Sequence, residues 1–339
     1  MTRQPQSGSG KQQGVALITA ILLVAIATLI AAKLSWDNQV SIRRTETTLT
    51  QEQARMIALG GEAIAIDILR DDENDFDYPD SDNWNKQLAP GQPPGLLGPM
   101  EIGIEELTIG QFQGHLTDAQ GRLNINNLLP DLESDPDPIV IAQFKELFTI
   151  LELNPGLVDA IADWIDTDTV ALSNGAEDGN YTALDPGYRT ANSYITSISE
   201  LRAVNGIDEE TFLLLQPHLT AVHPDWCGGS GGYTPVNFNY ATAEVMAAVA
   251  TTQDQPVSLA EAETWVSERE FTGWESLGEI NGLPELIVNS NFVTLQSNCL
   301  ELYVNVEIGR SVLSMYSLLD RSSSGNSDIV TRVRAYGLD

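Results

Sequence analysis

The chain has 339 residues, of which 48 are Asp or Glu and only 17 are Lys or Arg, giving a formal net charge of -31. That balance repels nucleic acid and anionic lipid headgroups wherever charge is felt, so nucleic-acid binding is excluded as a role. Hydrophobic residues make up 42% of the sequence, too many for a wholly disordered chain, so the acid sits on folded surfaces and in loops.

The first predicted element is an apolar helix. Val15 to Ala32 are 18 consecutive uncharged residues, close to the roughly 20 needed to cross a hydrocarbon core. The flank before them carries Arg3 and Lys11 and no acid, which keeps the N terminus in the cytoplasm and sends the rest outside. An ordinary secretory signal has a shorter apolar core and a small-residue cleavage site, which "IAAKLSW" supplies poorly. Beyond Lys33, the residues Leu34, Val40, Ile42, Leu49, Met56, Leu59, Ala63, Ile66 and Leu69 recur at about helical spacing with no Pro between them. One helix is predicted to about Arg70, half in lipid and half in water. An acidic, Pro-rich loop follows, to about Pro99.

A polar leader ending in Gly14, then an apolar helix that continues as an amphipathic one, resembles the N terminus of type IV pilins and type II secretion pseudopilins. The resemblance implies that prepilin peptidase cuts between Gly14 and Val15, and that the helix stays as an inner-membrane anchor before entering a fibre. Most pilins carry Glu as the fifth residue after the cut, where this chain has Thr19. A carboxylate without a partner is costly in an apolar fibre core, so a subunit with no neighbour ahead of it gains nothing from that Glu. In lacking it the chain resembles the large minor pseudopilin called the K subunit, which implies a place at the fibre tip.

In the soluble part, "EIGIEELTIG" and "QFQGHLTDAQG" read as a hairpin hinged near Gly110. Three more strands, "LELYVNVEIG", "SVLSMYSLLD" and "DIVTRVRAYG", are predicted at the far end, with turns at Gly309 and before Asp328. The fold class is α+β: a pilin-like long N-terminal helix on an antiparallel sheet, with a large, mostly α-helical inserted domain. The expected bounds are a leader at 1–14, a transmembrane helix at 15–35, pilin-like helix and first strands at 36–122, the insertion at 123–293 and closing strands at 294–339.

Two phrases inside the insertion, "ISELRAVNGIDEETFLLLQPHL" and "WESLGEINGLPELIVNSNFVTL", resemble helix-hairpin-helix units. Asp208, Glu209 and Glu210 in one, and Glu279 and Glu285 in the other, would repel phosphate, so these are read as packing units turned at Gly206 and Gly282. "GRLNINNL" and "PVNFNYATAEVMAAV" are Asn-rich phrases leading into helices. They resemble the openings of the two halves of the K subunit's inserted domain.

The densest acidic stretch holds Asp163, Asp166, Asp168, Glu177, Asp178 and Asp185 within 23 positions. Crowded carboxylates repel unless a cation neutralises them, and an all-oxygen set suits Ca2+. The spacing is not that of an EF-hand, and an acidic solvated loop with Asp caps is the alternative reading. The K subunit resemblance implies a calcium-binding loop, through matches at Gly175 to Asp178, Tyr188, Arg189 and Asn192.

His115, His218 and His223 are scattered, and no nucleophile elbow or phosphate loop occurs, so an enzyme or a small-molecule substrate is not expected. With the bulk of the chain outside the cytoplasm, Cys227 and Cys299 are permitted a disulfide; two free buried thiols are the alternative. The expected role is a non-enzymatic tip subunit of the type II secretion pseudopilus in the periplasm of a Gram-negative bacterium. Its expected partners are the I and J minor pseudopilins, with H as a further one. The competing reading is a membrane-anchored type IV pilus minor pilin or periplasmic binding module that recognises an external ligand.

Overall fold

The computed structural model describes residues 13–72, 76–77, 84, 96–104, 107–229, 231–252, 255–269, 273–322 and 329–337. Helix α1 (Gln13–Arg70) runs unbroken, as its lack of Pro allows. The hydroxyls of Thr19, Thr28, Ser41, Thr45, Thr47 and Thr48 fold back onto carbonyls three or four residues earlier, so they ask nothing of their surroundings. Strands β1 (Leu96–Ile104) and β2 (Leu107–Asp118) follow.

The chain then enters a helical region. In order come β3 (Leu123–Asn124), α2 (Pro138–Ile150), α3 (Leu157–Ile165), α4 (Asp178–Thr182), α5 (Glu209–Leu215) and β4 (Leu219–Thr220). Next are β5 (Val236–Asn237), α6 (Ala243–Ala250), α7 (Leu259–Arg269), α8 (Glu285–Val288) and β6 (Val293–Thr294). Strands β7 (Cys299–Ile308), β8 (Ser311–Asp320) and β9 (Val330–Tyr336) close the chain, where the three C-terminal strands are predicted.

The main sheet is antiparallel in the order β1-β2-β7-β8-β9. Leu300, Leu302, Val304, Val306 and Ile308 alternate along β7 and pack with Ala54, Ala58, Ala65 and Leu69 of α1, forming the pilin-like core. Small residues let the helix sit close: a Cβ on Gly61 would come within 2.2 Å of the Phe112 ring.

Two sequence expectations need correction. Gly110 is not a hinge but lies inside β2, paired with both Ile102 and Ile308. A Cβ there would stand 2.2 Å from the Glu307 carbonyl oxygen, so the glycine serves strand approach rather than a turn. The stretch read as loop to about Pro99 ends in β1, which takes in Pro99 because an edge strand tolerates a missing N–H and the register shifts between Leu97 and Met100. Most of the acidic loop before it lies outside the described residues.

Because β2 and β7 pair directly, residues 119–298 leave and return between neighbouring strands. That excursion repeats one plan twice. β3 pairs in parallel with β4, and β5 with β6. Asn126 exchanges two hydrogen bonds with the Ile195 backbone at 2.9 Å each, and Asn239 does the same with Trp274 at 3.0 and 2.9 Å. Each half then makes a short 3-10 turn, Ile198–Ala203 or Leu277–Glu279, and a glycine, Gly206 or Gly282, each with φ +85°. One continuous core, from Leu123 to Leu295, joins both halves.

Candidate metal centre

Helix α3 buries nearly every side chain, and its last turn carries Asp163, with Asp166 as the residue that ends it. Two carboxylates at the negative end of a helix are disfavoured by its dipole. The loop that follows folds back on them. The Leu172 N–H donates to both Asp163 carboxylate oxygens at 3.2 and 3.1 Å. Gly175 passes so close that a Cβ would stand 1.8 Å from Asp163 Oδ2, and this approach returns Glu177, the residue before α4, to the pair. Asp163, Asp166 and Glu177 each bring one carboxylate oxygen within 4.8 Å of the others, and all three are buried.

The oxygens are short of donors. Asp166 Oδ1, both Glu177 carboxylate oxygens and Asn192 Oδ1 are buried without a hydrogen-bond partner. Asn192 takes a left-handed backbone, φ +47°, while its N–H donates to the Trp164 carbonyl at 3.1 Å. Burial, then the charges of Asp168 and Asp163, pushes the Asp166 carboxyl up to about 6. Burial, then Asp166, Asp163 and Asp168, pushes Glu177 up to about 7. Burial also raises Asp163, against the backbone N–H groups of Leu172 and Ala176. The set is all oxygen and short of positive charge, which is the chemistry that hard cations take.

The other predicted acids have different places. Asp178 accepts from the Thr190 N–H at 3.1 Å and hydroxyl at 2.9 Å and faces Arg189 at 3.4 Å, so it fastens the return of the loop. Asp168 is exposed and accepts from the Val170 N–H at 2.6 Å, close enough for its charge to act on Asp166 and Glu177. Asp185 is exposed and outside the three-carboxylate group. Asp159, one turn before Asp163, joins this region from the same helix: it pairs with Lys145 at 2.7 Å and accepts from Asn174 at 2.9 Å. Its signal was the i, i+4 spacing to Asp163 on one helix face.

Two family models describing type II secretion system (T2SS) protein K match residues 121–225 and 236–295, one on each half of the insertion. A type II secretion system protein K of Aeromonas hydrophila is 30% identical over 283 residues, 78% of each chain. The chain belongs to the type II secretion system protein K family. A family member from Pectobacterium carotovorum is 29% identical over 330 residues, 92% of this chain and 93% of that one. The crystal structure of the GspK-GspI-GspJ complex from enterotoxigenic Escherichia coli contains a chain of the same fold, with a TM-score of 0.67 at 20% identity, covering 87% of this chain and 100% of that one. As a K-family protein, the chain is a minor pseudopilin of the type II secretion system.

For this K-family pseudopilin, α1 from Val15 is long and apolar enough for a single membrane anchor. At Thr19 the hydroxyl bonds to the carbonyls of Val15 and Ala16 at 3.1 and 3.0 Å, so it needs no partner in a neighbouring helix. A disulfide joins Cys227 and Cys299, with Cα atoms 5.0 Å apart and a sequence separation of 72. It ties the middle of the insertion to the first residue of β7. Buried Gln120 braces the same junction, accepting from the N–H groups of Asn298 at 2.5 Å and Cys299 at 2.9 Å and donating to Pro235 at 3.1 Å.

Proposed function

We propose that this minor pseudopilin caps the tip of the periplasmic pseudopilus and starts its assembly, acting as a structural component with no reaction of its own. The observation that carries the reading is the bulk of residues 119–298, emerging between adjacent strands of a pilin-like sheet. A subunit with that head occupies an end and obstructs stacking above itself. Thr19 supports the same place, since a helix whose hydroxyl is satisfied internally needs no subunit ahead of it. Prepilin peptidase cuts between Gly14 and Val15, and the mature helix is held in the inner membrane of a Gram-negative cell with the head in the periplasm. The I and J subunits, with H as a further contact, are its partners; the complex solved for the Escherichia coli relative supports I and J.

We assign the acidic centre to Ca2+, held by Asp163, Asp166, Glu177 and Asn192. Bound there, the cation neutralises carboxylates that otherwise repel each other and fixes the loop between α3 and α4. Deleting the gene tests the tip reading. Secretion of folded exoproteins should stop and return when the full chain is supplied, and intact secretion in the deletion strain would overturn it.

A further inference from the structure

The loop that returns Glu177 to Asp163 and Asp166 leaves α3 and is held first at Thr167, which donates to the Leu132 carbonyl through its N–H at 3.2 Å and its hydroxyl at 3.1 Å. It is held next at Asn174, whose N–H and side-chain amide both donate to Asp159 Oδ2, at 3.3 and 2.9 Å. Asn174 also lies against Gly156 at the start of α3, where a Cβ would stand 3.1 Å from its amide carbon. The other Asp159 oxygen takes the Lys145 ammonium at 2.7 Å. Lys145 stands on α2, whose Phe144, Leu147 and Phe148 are fully buried and whose Gln143 donates to the Val249 carbonyl of α6 at 3.0 Å. The anchor therefore rests on a helix that is itself fixed in the core.

We infer that Lys145, Asp159 and Asn174 are positioning residues that set the metal loop before a cation arrives, an inference that rests on the Ca2+ assignment. Asn174 immediately precedes Gly175, the residue pressed against Asp163, so its hold on Asp159 fixes the point from which the loop turns Glu177 toward the pair. Asp159 is suited to be an anchor and not a ligand. Both of its oxygens already have donors, and it lies outside the three-carboxylate group. Burial raises its carboxyl, but the hydrogen bonds of Lys145 and Asn174 and the Lys145 charge bring it below the usual range. It stays charged with or without a cation at the centre, so the anchor holds in both states. A loop ordered in advance lowers the entropy cost of binding. Charge alone predicts the reverse for the lysine, since an ammonium near the centre repels an incoming cation.

Positioning and bare charge predict opposite signs for Lys145→Met, read by calorimetric titration of Ca2+ into the full chain, freed of metal, at pH 8. Loss of the anchor should weaken calcium binding by about 10- to 100-fold, as removal of a group that orients metal ligands does. Removal of a repelling charge would tighten it. Asn174→Ala changes no charge and keeps the ion pair, and should weaken binding by the same order. It decides alone if the lysine variant does not fold. Binding within about threefold of the unaltered chain, or tighter, in either folded variant would overturn the inference and leave the Ca2+ assignment standing. An unaltered chain that takes up no calcium would overturn both.

Discussion

Glu62 of α1 and Arg334 of β9 meet across 272 positions of sequence, Arg334 Nε donating to Glu62 Oε2 at 2.9 Å and Nη2 to Oε1 at 2.5 Å. Ser317 and Thr331 donate to the same carboxylate at 2.6 and 2.9 Å. The carboxylate is 5% exposed, so it is a buried charge made tolerable by four donors, and it fastens the long N-terminal helix to the sheet that carries the head.

Arg334→Ala leaves that carboxylate buried with only two hydroxyls. The variant should lose about 2–4 kcal/mol of unfolding free energy in urea titration. Burial raises the Glu62 pKa, but the hydrogen bonds of Arg334, Ser317 and Thr331 and the Arg334 charge lower it further, for a net fall. The linked stability is therefore full above the usual carboxylate range and lost as pH falls through the depressed value. Arg334→Ala should flatten the acid side of the stability curve; an unchanged acid limb would show that Glu62 is not so held.

The metal centre has the opposite sign. With Asp166 at about 6 and Glu177 at about 7, against usual values of 3.8 and 4.5, the ion-free fold holds protons that the unfolded chain has released. Ion-free stability should fall as pH rises from about 4.5 to 7. Calcium should restore it, raising the melting temperature much more at pH 8 than at pH 5 and adding about 2.7 kcal/mol of stability at one hundred times Kd. Glu177→Gln should raise ion-free stability at pH 8 and shrink the calcium response. Equal melting temperatures with calcium and with chelator at pH 8 would refute the assignment.

Glycine substitutions separate the close approach at the centre from general loop effects. Gly175→Ala forces a methyl group into Asp163, and should cost about 2–4 kcal/mol and abolish any calcium response. Gly179→Ala, with nothing within 4 Å of the new methyl, should change stability by less than about 1 kcal/mol. Chemical denaturation of both variants, with and without calcium, checks the pair.

Removing the disulfide by Cys299→Ser together with Cys227→Ser should cost about 2–4 kcal/mol. Because the bond sits at the junction of insertion and sheet, the reduced protein should be cut by protease near residues 119–122 or 295–299 before either core is digested. Simultaneous digestion of everything would contradict a weakened junction.

Much of this architecture was legible in the sequence, for identifiable reasons. Helix α1 announced itself by an apolar run continued at helical spacing without Pro, and strands β7 to β9 by alternation along β7 and by turn residues. The two glycine turns were visible as Asn-Gly after apolar helix ends. At Gly110 the sequence is ambiguous, because glycine marks both a turn and a close strand approach, and only its pairing with β7 distinguishes them. At the centre, Asp163, Asp166 and Glu177 could be named from crowding, but crowding does not say where side chains point. Asp178 closes the loop with Thr190 and Asp185 stays in solvent, a division set by tertiary packing. The Glu62 clamp left no sequence signal, since a single Glu on a half-polar helix looks solvated until β9 arrives.

The most direct test of the tip assignment is where the protein sits on an assembled fibre. Pseudopili formed in cells producing the full chain with an epitope in the insertion, imaged by immunogold electron microscopy, should carry label at one end only. Label spaced along the fibre length would contradict the account.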